Sequence, residues 1–509
     1  MAEENVDVCI IGSGWGGAIP ALRLSAAGKS VVVLERGRAW KDSDFRQTVD
    51  PRYVLSLFRI DTSADLKATM VTSQALLGGT SPLFSNVMLR APSLVFDRGD
   101  DEGNRYWPRS LDRALFDPYY QRVENDLGVV PLRWTDEGYP GLNCQDGEAA
   151  DHTWDLVPKR GYAFAKACQA AGYNEVSPVP VALDHRCVDC GWCTMGCIFG
   201  AKRTPDKVYI PAAQAQGARF LTEHEAKTIE PEFLSDHYKV HAVDMVNRQS
   251  KTFVAKVVVL AAGAMNTPVI LQRSKFRFPR LWDRLSRQVG KKLSANGDAA
   301  FAVNLPVSEA MLASETFRGK IIGTTCWSFL EEFGFTLQDT YLLNSALALV
   351  VEPPDGPGWG LEYKHFMQAL ATTVNGIISM GLDGDDGEIR YNSLTDKGHM
   401  TWRMSTRSAQ LYRTISAKVG EIVKAAGGQI LKTPLAENRI ACVHPLGSCR
   451  MGDDPDLGPL RADGQLYGYP NVYVTDGSAL PGSLAVNPSL TIAANAERVS
   501  EGIRNNFPA

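Results

Sequence analysis

The chain has 509 residues, with 53 basic and 57 acidic side chains, a net charge of −4 and 44% hydrophobic residues. Near-balanced charge excludes the basic stripe of a nucleic-acid binder and the polybasic tail of a membrane-adsorbed protein, and no apolar run approaches the roughly 18 residues that span a bilayer. The length exceeds what one core usually covers, so two domains are expected, without repeats or low-complexity stretches.

Val6 to Ile11 reads as a buried strand, so near the start that it leaves no room for a secretory leader and implies a cytoplasmic location. It runs into Gly12-Ser13-Gly14-Trp15-Gly16-Gly17 and then an Ala/Leu-rich helix through Ala26. Gly12 permits the tight turn, Gly14 lets backbone approach a pyrophosphate at the helix N-terminus, and Gly17 lets helix and strand pack closely. A second strand, Ser30 to Leu34, ends at Glu35, about the spacing at which an acid grips an adenosine ribose. Glycines alone are a weak signal. Strand, glycines, helix, strand and acid in register predict a dinucleotide site.

Gly78-Gly79 by itself reads as an ordinary turn. Residues from about 131 to 199 are loop-rich, with clustered Gly, Pro, Asp and Cys. Within them Cys187, Cys190, Cys193 and Cys197 are spaced C-x2-C-x2-C-x3-C, the spacing of a bacterial ferredoxin half-motif. On a loop such thiolates can wrap an iron–sulfur cube, whereas a regular helix or strand could not converge all four. Three readings stay open: an iron–sulfur cluster ([4Fe-4S] or [3Fe-4S]), a zinc site, and free or paired thiols. Ile198 follows Cys197 where the ferredoxin run has Pro. The six other cysteines read as scattered buried or loop thiols.

Further along, Lys256 to Leu260 reads as another buried strand, followed by the turn Ala261 to Pro268 and a helix. Residues from about 301 to 435 alternate short β-like runs, Tyr341 to Val351 and Ala371 to Leu382, with a helix near Ala409 to Ala426. The end of the chain carries His444 in a His-Pro turn, a strand Val472 to Val474 before Asp476-Gly477, and Asn487 before Pro488 at the head of a last helix. Asn in that place also suits an N-cap. Residues 1–130, 200–300 and 436–509 are expected to form the cofactor domain, 131–199 a cysteine-rich segment, and 301–435 a substrate domain.

Five blocks stand in the order of one family: GSGWGG with Glu35, Gly78 to Met88, Val257 to Pro268, His444 to Gly452, and VYVTDGS with Asn487 to Thr491. Over nearly its whole length the chain resembles the glucose-methanol-choline (GMC) oxidoreductases, FAD enzymes that oxidise alcohols. The His–Asn pair, the HPLG turn and the segment Met380 to Arg390 resemble the cholesterol-oxidase-like branch. The resemblance implies an α/β fold: a Rossmann-like FAD-binding domain on a doubly wound parallel sheet, with a discontinuous α+β substrate domain whose mainly antiparallel sheet roofs the flavin. It implies Gly12, Gly14, Gly17 and Glu35 at the adenosine and pyrophosphate end of FAD, with Gly79, Asn86 and Met88 in a loop past the isoalloxazine. Ala262 would lie alongside, and Asp476 and Gly477 would meet the pyrophosphate and ribityl chain. No histidine precedes His152, so FAD is expected to be noncovalent.

Alcohol oxidation needs a group to take the hydroxyl proton and a carbon-bound hydrogen aimed at the flavin. Histidine suits the first task; His444 is the candidate, with Asn487 orienting the substrate oxygen. His152, His185, His224, His237, His241, His365 and His399 read as surface or loop residues. Steroid oxidases of the branch also use a carboxylate for isomerisation; Glu331, Glu332, Glu352 and Glu362 are available, each reading first as a solvated surface acid. The expected reaction takes an alcohol to a ketone or aldehyde, on sterols or other hydrophobic secondary alcohols first and sugars or glycosides second. Electrons would pass to a protein or quinone acceptor if a cluster is present, or to oxygen in a cluster-free sterol oxidase. Two other classes remain open, an NAD-dependent dehydrogenase and an iron–sulfur flavoprotein electron carrier.

Overall fold

The computed structural model describes residues 3–64, 67–99, 103–134, 153–233, 235–305, 319–341, 360–370, 374–431 and 440–508. Glu3–Ile11 has a parallel strand on each side, Val31–Leu34 and Gln249–Leu260, and Val8 to Ile11 are all buried. That is why its apolar residues form a run instead of alternating. Arg219–Leu221 adds a further parallel strand beside Val31–Leu34.

Gln249–Leu260 is 12 residues long, and its two halves have different neighbours. Gln249 to Ala255 pair antiparallel with Tyr238–Asp244, while Val258 to Leu260 pair in parallel with Val472–Val474. His224–Pro231 completes a seven-stranded sheet. The parallel part is the doubly wound sheet that was expected. The antiparallel strands extend it, because Gln249 to Thr252 are too polar to join the apolar run that marks Lys256 to Leu260.

Trp15–Ser25 packs on this sheet and against the last helix, Ser489–Asn505, which presents Ala493, Ala494 and Ala496 to the core. Small side chains let the two helices approach closely. Arg23 pairs with the fully buried Glu497 at 2.6 Å, so the first and last helices are also tied electrostatically.

The second sheet is antiparallel, in the order Gln429–Ile430, Ala299–Asn304, Val374–Gly381, Phe335–Thr340, Thr324–Cys326, Val176–Pro178. Its last strand comes from the cysteine-rich stretch, as does Lys159–Ala170, which packs behind it with Thr406–Ala425. Thr406–Ala425 begins at Ser405, whose Oγ accepts the Ser408 N–H, and buries Leu411, Ile415, Val419 and Ile422 along one face. The expected helix near Ala409 to Ala426 therefore starts three residues earlier, at its cap. Of the run Tyr341 to Val351 all but Tyr341 lies outside the described residues, as do Cys144, His152 and Glu352. Among the described residues, no helix is long and apolar enough to cross a membrane.

Candidate active site

The glycine-rich turn is closed to side chains at Gly12, Gly16 and Gly17 and open at Gly14. A Cβ on Gly12 (φ +101°) would lie 2.2 Å from the Ala261 carbonyl oxygen, and one on Gly17 1.9 Å from that of Gly12. Gly14 has an ordinary φ of −66°, and a Cβ there would first meet Gly79 Cα at 3.7 Å. The helix behind Gly14 has no side-chain cap and no acid in its first turn, so its free N–H groups present partial positive charge to that opening.

Glu35 closes one side. It is 6% exposed and accepts hydrogen bonds from Ser13 N–H (3.1 Å), Ser13 Oγ–H (2.6 Å) and Gly37 N–H (2.7 Å). Burial pushes its carboxyl above the usual range, and those bonds oppose the shift. Ser13 Oγ also accepts the Gly78 N–H at 3.0 Å, which brings the Gly78-Gly79 turn onto the first glycines. Asp476 accepts from Gly263 N–H (2.8 Å), Thr267 Oγ–H (2.5 Å) and Ser478 N–H (2.8 Å), joining the Ala261 to Pro268 turn to Asp476-Gly477. Ala262 N–H caps onto Thr267 Oγ1 in the same turn.

An uncapped helix, an opening bounded by two glycines and a buried carboxylate at the next strand end together fit the adenosine and pyrophosphate of FAD. Gly12, Gly14, Gly17, Glu35, Gly79, Ala262, Asp476 and Gly477 are thus brought together. Asn86 and Met88 differ from them. Met88 is a fully buried core residue whose N–H bonds Pro180 O at 2.9 Å. Asn86, at φ +69°, is also fully buried and sets its amide beside the Cys193 thiol.

His444 follows the strand Ile440–Cys442 and is held by Asp298, a residue that the sequence did not single out. His444 Nδ1 lies 2.9 Å from Asp298 Oδ1, and Oδ2 accepts the N–H groups of Val443 (2.9 Å) and His444 (3.2 Å). Asp298 is fully buried, while the His444 side chain keeps 17% exposure. With Nδ1–H facing the carboxylate, Nε2 carries the lone pair, and no hydrogen bond engages it among the described residues. Asn296 and Gly297 both have positive φ, so the chain twists between neighbours: Asp298 faces His444, and Asn296 holds Val486 O and Leu484 N–H. Only the turn-forming Asn-Gly-Asp string signals this, 146 residues before its partner.

Asn487 does not cap the last helix; the cap position is Pro488, without a side-chain bond. Its Oδ1 instead accepts Gln338 Nε2–H at 2.9 Å, and Gln338 also donates to Thr325 Oγ1 at 3.0 Å. That network fixes the amide with Nδ2 left as a free donor. Leu446 exchanges backbone hydrogen bonds with Ser294, and Gly447 N–H bonds Gly477 O. The 294–298 segment therefore gathers the His444 turn and the 484–487 loop, and the His444 turn reaches Gly477 through Gly447.

The other titratable groups are more ordinary. Glu331, Glu332 and Glu362 are exposed. His224 corrects the surface reading: it is 9% exposed at the head of a strand, with Nδ1 on Thr222 O and Nε2 on Lys251 Nζ, both at 2.7 Å. His241 sits within a strand and meets Glu230 at 2.8 Å. The nine described cysteines are free thiols. Cys187, Cys190, Cys193 and Cys197 line one recess with Lys202 and Lys320, but among the described residues no three His, Cys, Asp or Glu side chains gather as a single-ion site, as zinc requires.

The model of the GMC oxidoreductase N-terminal region matches residues 60–296, and that of the C-terminal region residues 383–496. A cholesterol oxidase of Mycobacterium tuberculosis is 28% identical, over 98% of this chain and 91% of its own. A long-chain-alcohol oxidase of Arabidopsis thaliana is 24% identical, over 98% of this chain and 68% of its own. The solved pyridoxine 4-oxidase from Mesorbium loti superposes with a TM-score of 0.66 at 18% identity, over 99% of this chain and 100% of its own, a likeness of fold. Family models covering more than half of the residues, on a fold that closes its two ends around one nucleotide cradle, leave one conclusion: the chain belongs to the GMC oxidoreductase family.

Proposed function

We propose that the chain oxidises a hydrophobic secondary alcohol, sterols first, to the ketone, with His444 taking the hydroxyl proton and Asn487 holding the oxygen. The observation that carries the assignment is the Asp298-anchored imidazole, with Nε2 unengaged among the described residues, in a turn whose Gly447 N–H bonds Gly477 O. Bound FAD supplies the two-electron acceptor for the hydrogen leaving carbon. Nε2 receives the hydroxyl proton as the C–O bond gains double-bond character, and Asp298 faces the imidazolium so formed. Asn487 Nδ2–H donates to the oxygen while it carries negative charge. Gln338 and Thr325 prevent the amide from turning its oxygen inward instead.

The substrate class is supported by the relatives named cholesterol oxidase and long-chain-alcohol oxidase. A gluconate 2-dehydrogenase flavoprotein of Pantoea cypripedii, 22% identical, supports the polar alternative. Anaerobic mixing with cholesterol, a long-chain alcohol and gluconate distinguishes them, because only a substrate bleaches the flavin. Fastest bleaching is expected with the sterol; fastest bleaching with gluconate would overturn the class. His444→Ala is expected to keep its yellow colour and reduce at least about a hundredfold more slowly. A second exit for electrons, beside oxygen, is favoured by the four-cysteine loop lying against Asn86 of the predicted flavin loop.

A further inference from the structure

We infer that Asp383 is a positioning residue: its buried carboxylate sets where the proton acceptor His444 stands relative to the oxygen-holding Asn487, by shaping the segment that touches the loops of both. Its part in the reaction rests on the roles proposed above for those two residues. Their side chains have separate anchors, Asp298 for the ring and Gln338 for the amide. Ser294 to Asp298 bring the two together. Ser294 exchanges backbone hydrogen bonds with Leu446, just past His444. Asn296 Oδ1 accepts the Leu484 N–H at 2.8 Å, and its Nδ2 donates to Val486 O at 3.0 Å, immediately before Asn487. Asp298 then faces the imidazole itself.

That segment does not keep its shape unaided. Asn296 and Gly297 lie at φ +55° and +62°, a left-handed turn that is unfavourable for every residue but glycine. Asp383 supplies the hold. Its Oδ1 accepts the Ser294 Oγ–H at 2.7 Å, and its Oδ2 accepts the N–H groups of Ala295 at 2.8 Å and Gly297 at 3.3 Å. Ser294 Oγ in turn accepts the Asn296 N–H at 2.9 Å. Three successive N–H groups therefore end on one carboxylate, directly or through Ser294, in the concave arrangement by which such turns receive an anion. A Cβ on Gly297 would lie 2.4 Å from Gly381 Cα, so the turn and the end of Val374–Gly381 meet backbone to backbone, within reach of Asp383.

Asp383 is itself immobilised. It is fully buried, and Arg98 donates to Leu382 O and Asp383 O from one nitrogen and to Ser483 Oγ from another. The same guanidinium thus ties the backbone of Asp383 to the loop that carries Asn487. Both functional groups meet one atom, the substrate oxygen: His444 takes its proton, and Asn487 donates to it. An error in their relative placement therefore acts on the reacting centre and leaves the contacts of the substrate body alone. Misplacement by about 1 Å can cost about a hundredfold in rate.

The test is anaerobic stopped-flow reduction of the full-length, FAD-loaded protein, with whichever of cholesterol, a long-chain alcohol and gluconate bleaches it fastest. Asp383→Ala removes all three acceptor contacts. Its limiting rate is expected to fall at least about tenfold, with FAD content and the half-saturating alcohol concentration within about twofold of the parent. Asp383→Asn keeps an oxygen for the two N–H groups and turns its NH2 to Ser294 Oγ, which has a lone pair to spare, so most of the lost rate should return. Ser294→Ala disturbs the core less and still releases the Asn296 N–H; it should slow reduction severalfold, even where Asp383→Ala yields no folded protein. A parent-like limiting rate in Ser294→Ala, Asp383→Asn slower than Ser294→Ala, or a loss confined to the half-saturating concentration would each overturn the positioning role. His444→Ala separates the two readings. Slow reduction there beside parent-like Ser294→Ala removes Asp383 alone, whereas parent-like reduction in His444→Ala overturns the proposed base and the positioning with it.

Discussion

Asp298 holds the Val443-His444 turn at three atoms, the ring Nδ1 and backbone N–H of His444 and the N–H of Val443, so its carboxylate sets both the tautomer and the angle of the imidazole. Asp298→Asn keeps the size of the side chain but removes the charge that faces an imidazolium. Flavin reduction at saturating alcohol is expected to slow roughly tenfold or more, with little change in the alcohol concentration giving half the maximal rate. A role limited to shaping the pocket would instead raise that concentration, which stopped-flow titration separates. His444 and Asn487 were legible because each stands in a motif. Asp298 and Gln338 were not: each acts through a partner about 150 residues away, and nothing local marks either. Asn487 was also ambiguous, since Asn before Pro satisfies a helix cap equally well; only Gln338 decides what its amide does.

At the scale of elements, the glycines of the first turn make different demands that their spacing alone cannot rank. A Cβ on Gly17 would strike the Gly12 carbonyl, backbone against backbone, so Gly17→Ala is expected to prevent the helix from docking and to yield little folded protein. Gly14→Ala meets nothing closer than 3.7 Å and keeps an allowed φ. It should fold with an unfolding temperature near that of the parent but bind FAD at least severalfold more weakly, because the methyl group occupies the cradle. Equal FAD affinity in Gly14→Ala, read by flavin fluorescence quenching, would remove the pyrophosphate from that opening. The strands of the cradle were readable as apolar runs buried on both faces. The antiparallel extension was not, because its polar residues alternate with apolar ones, a pattern equally at home on a surface hairpin. In the second sheet, Thr406–Ala425 was legible from its 3.6-residue period, and Ile415→Ala, at a fully buried position, is expected to cost about 2–5 kcal/mol by urea unfolding.

Across the whole molecule, four distant segments meet at a buried charge network beside the active site. Arg98 donates to Ser483 Oγ at 2.6 Å, to Leu382 O at 3.0 Å and to Asp383 O, while Arg450 Nη1 approaches Asp385 Oδ2 at 3.6 Å. Asp385 is 4% exposed, and neither of its carboxylate oxygens has a hydrogen bond of ordinary geometry. Burial, then the neighbouring Asp383, pushes its carboxyl up to about 7 from 3.8, against the pull of Arg98, Arg450 and Lys292. The folded state therefore holds this proton across an interval in which the unfolded chain has released it. Stability from that site is complete below 3.8, declines as pH rises towards 7, and is gone above it. Glu35, Asp339, Asp383 and Asp476 are shifted in the same direction by burial, so each contributes a loss of the same sign as pH rises above the ordinary carboxylate range. Asp385→Asn isolates one of them, since an amide keeps the shape and cannot ionise. In urea unfolding at pH 5 and pH 8, the variant should lose less stability between the two than the parent does; an identical loss in both would place the proton elsewhere.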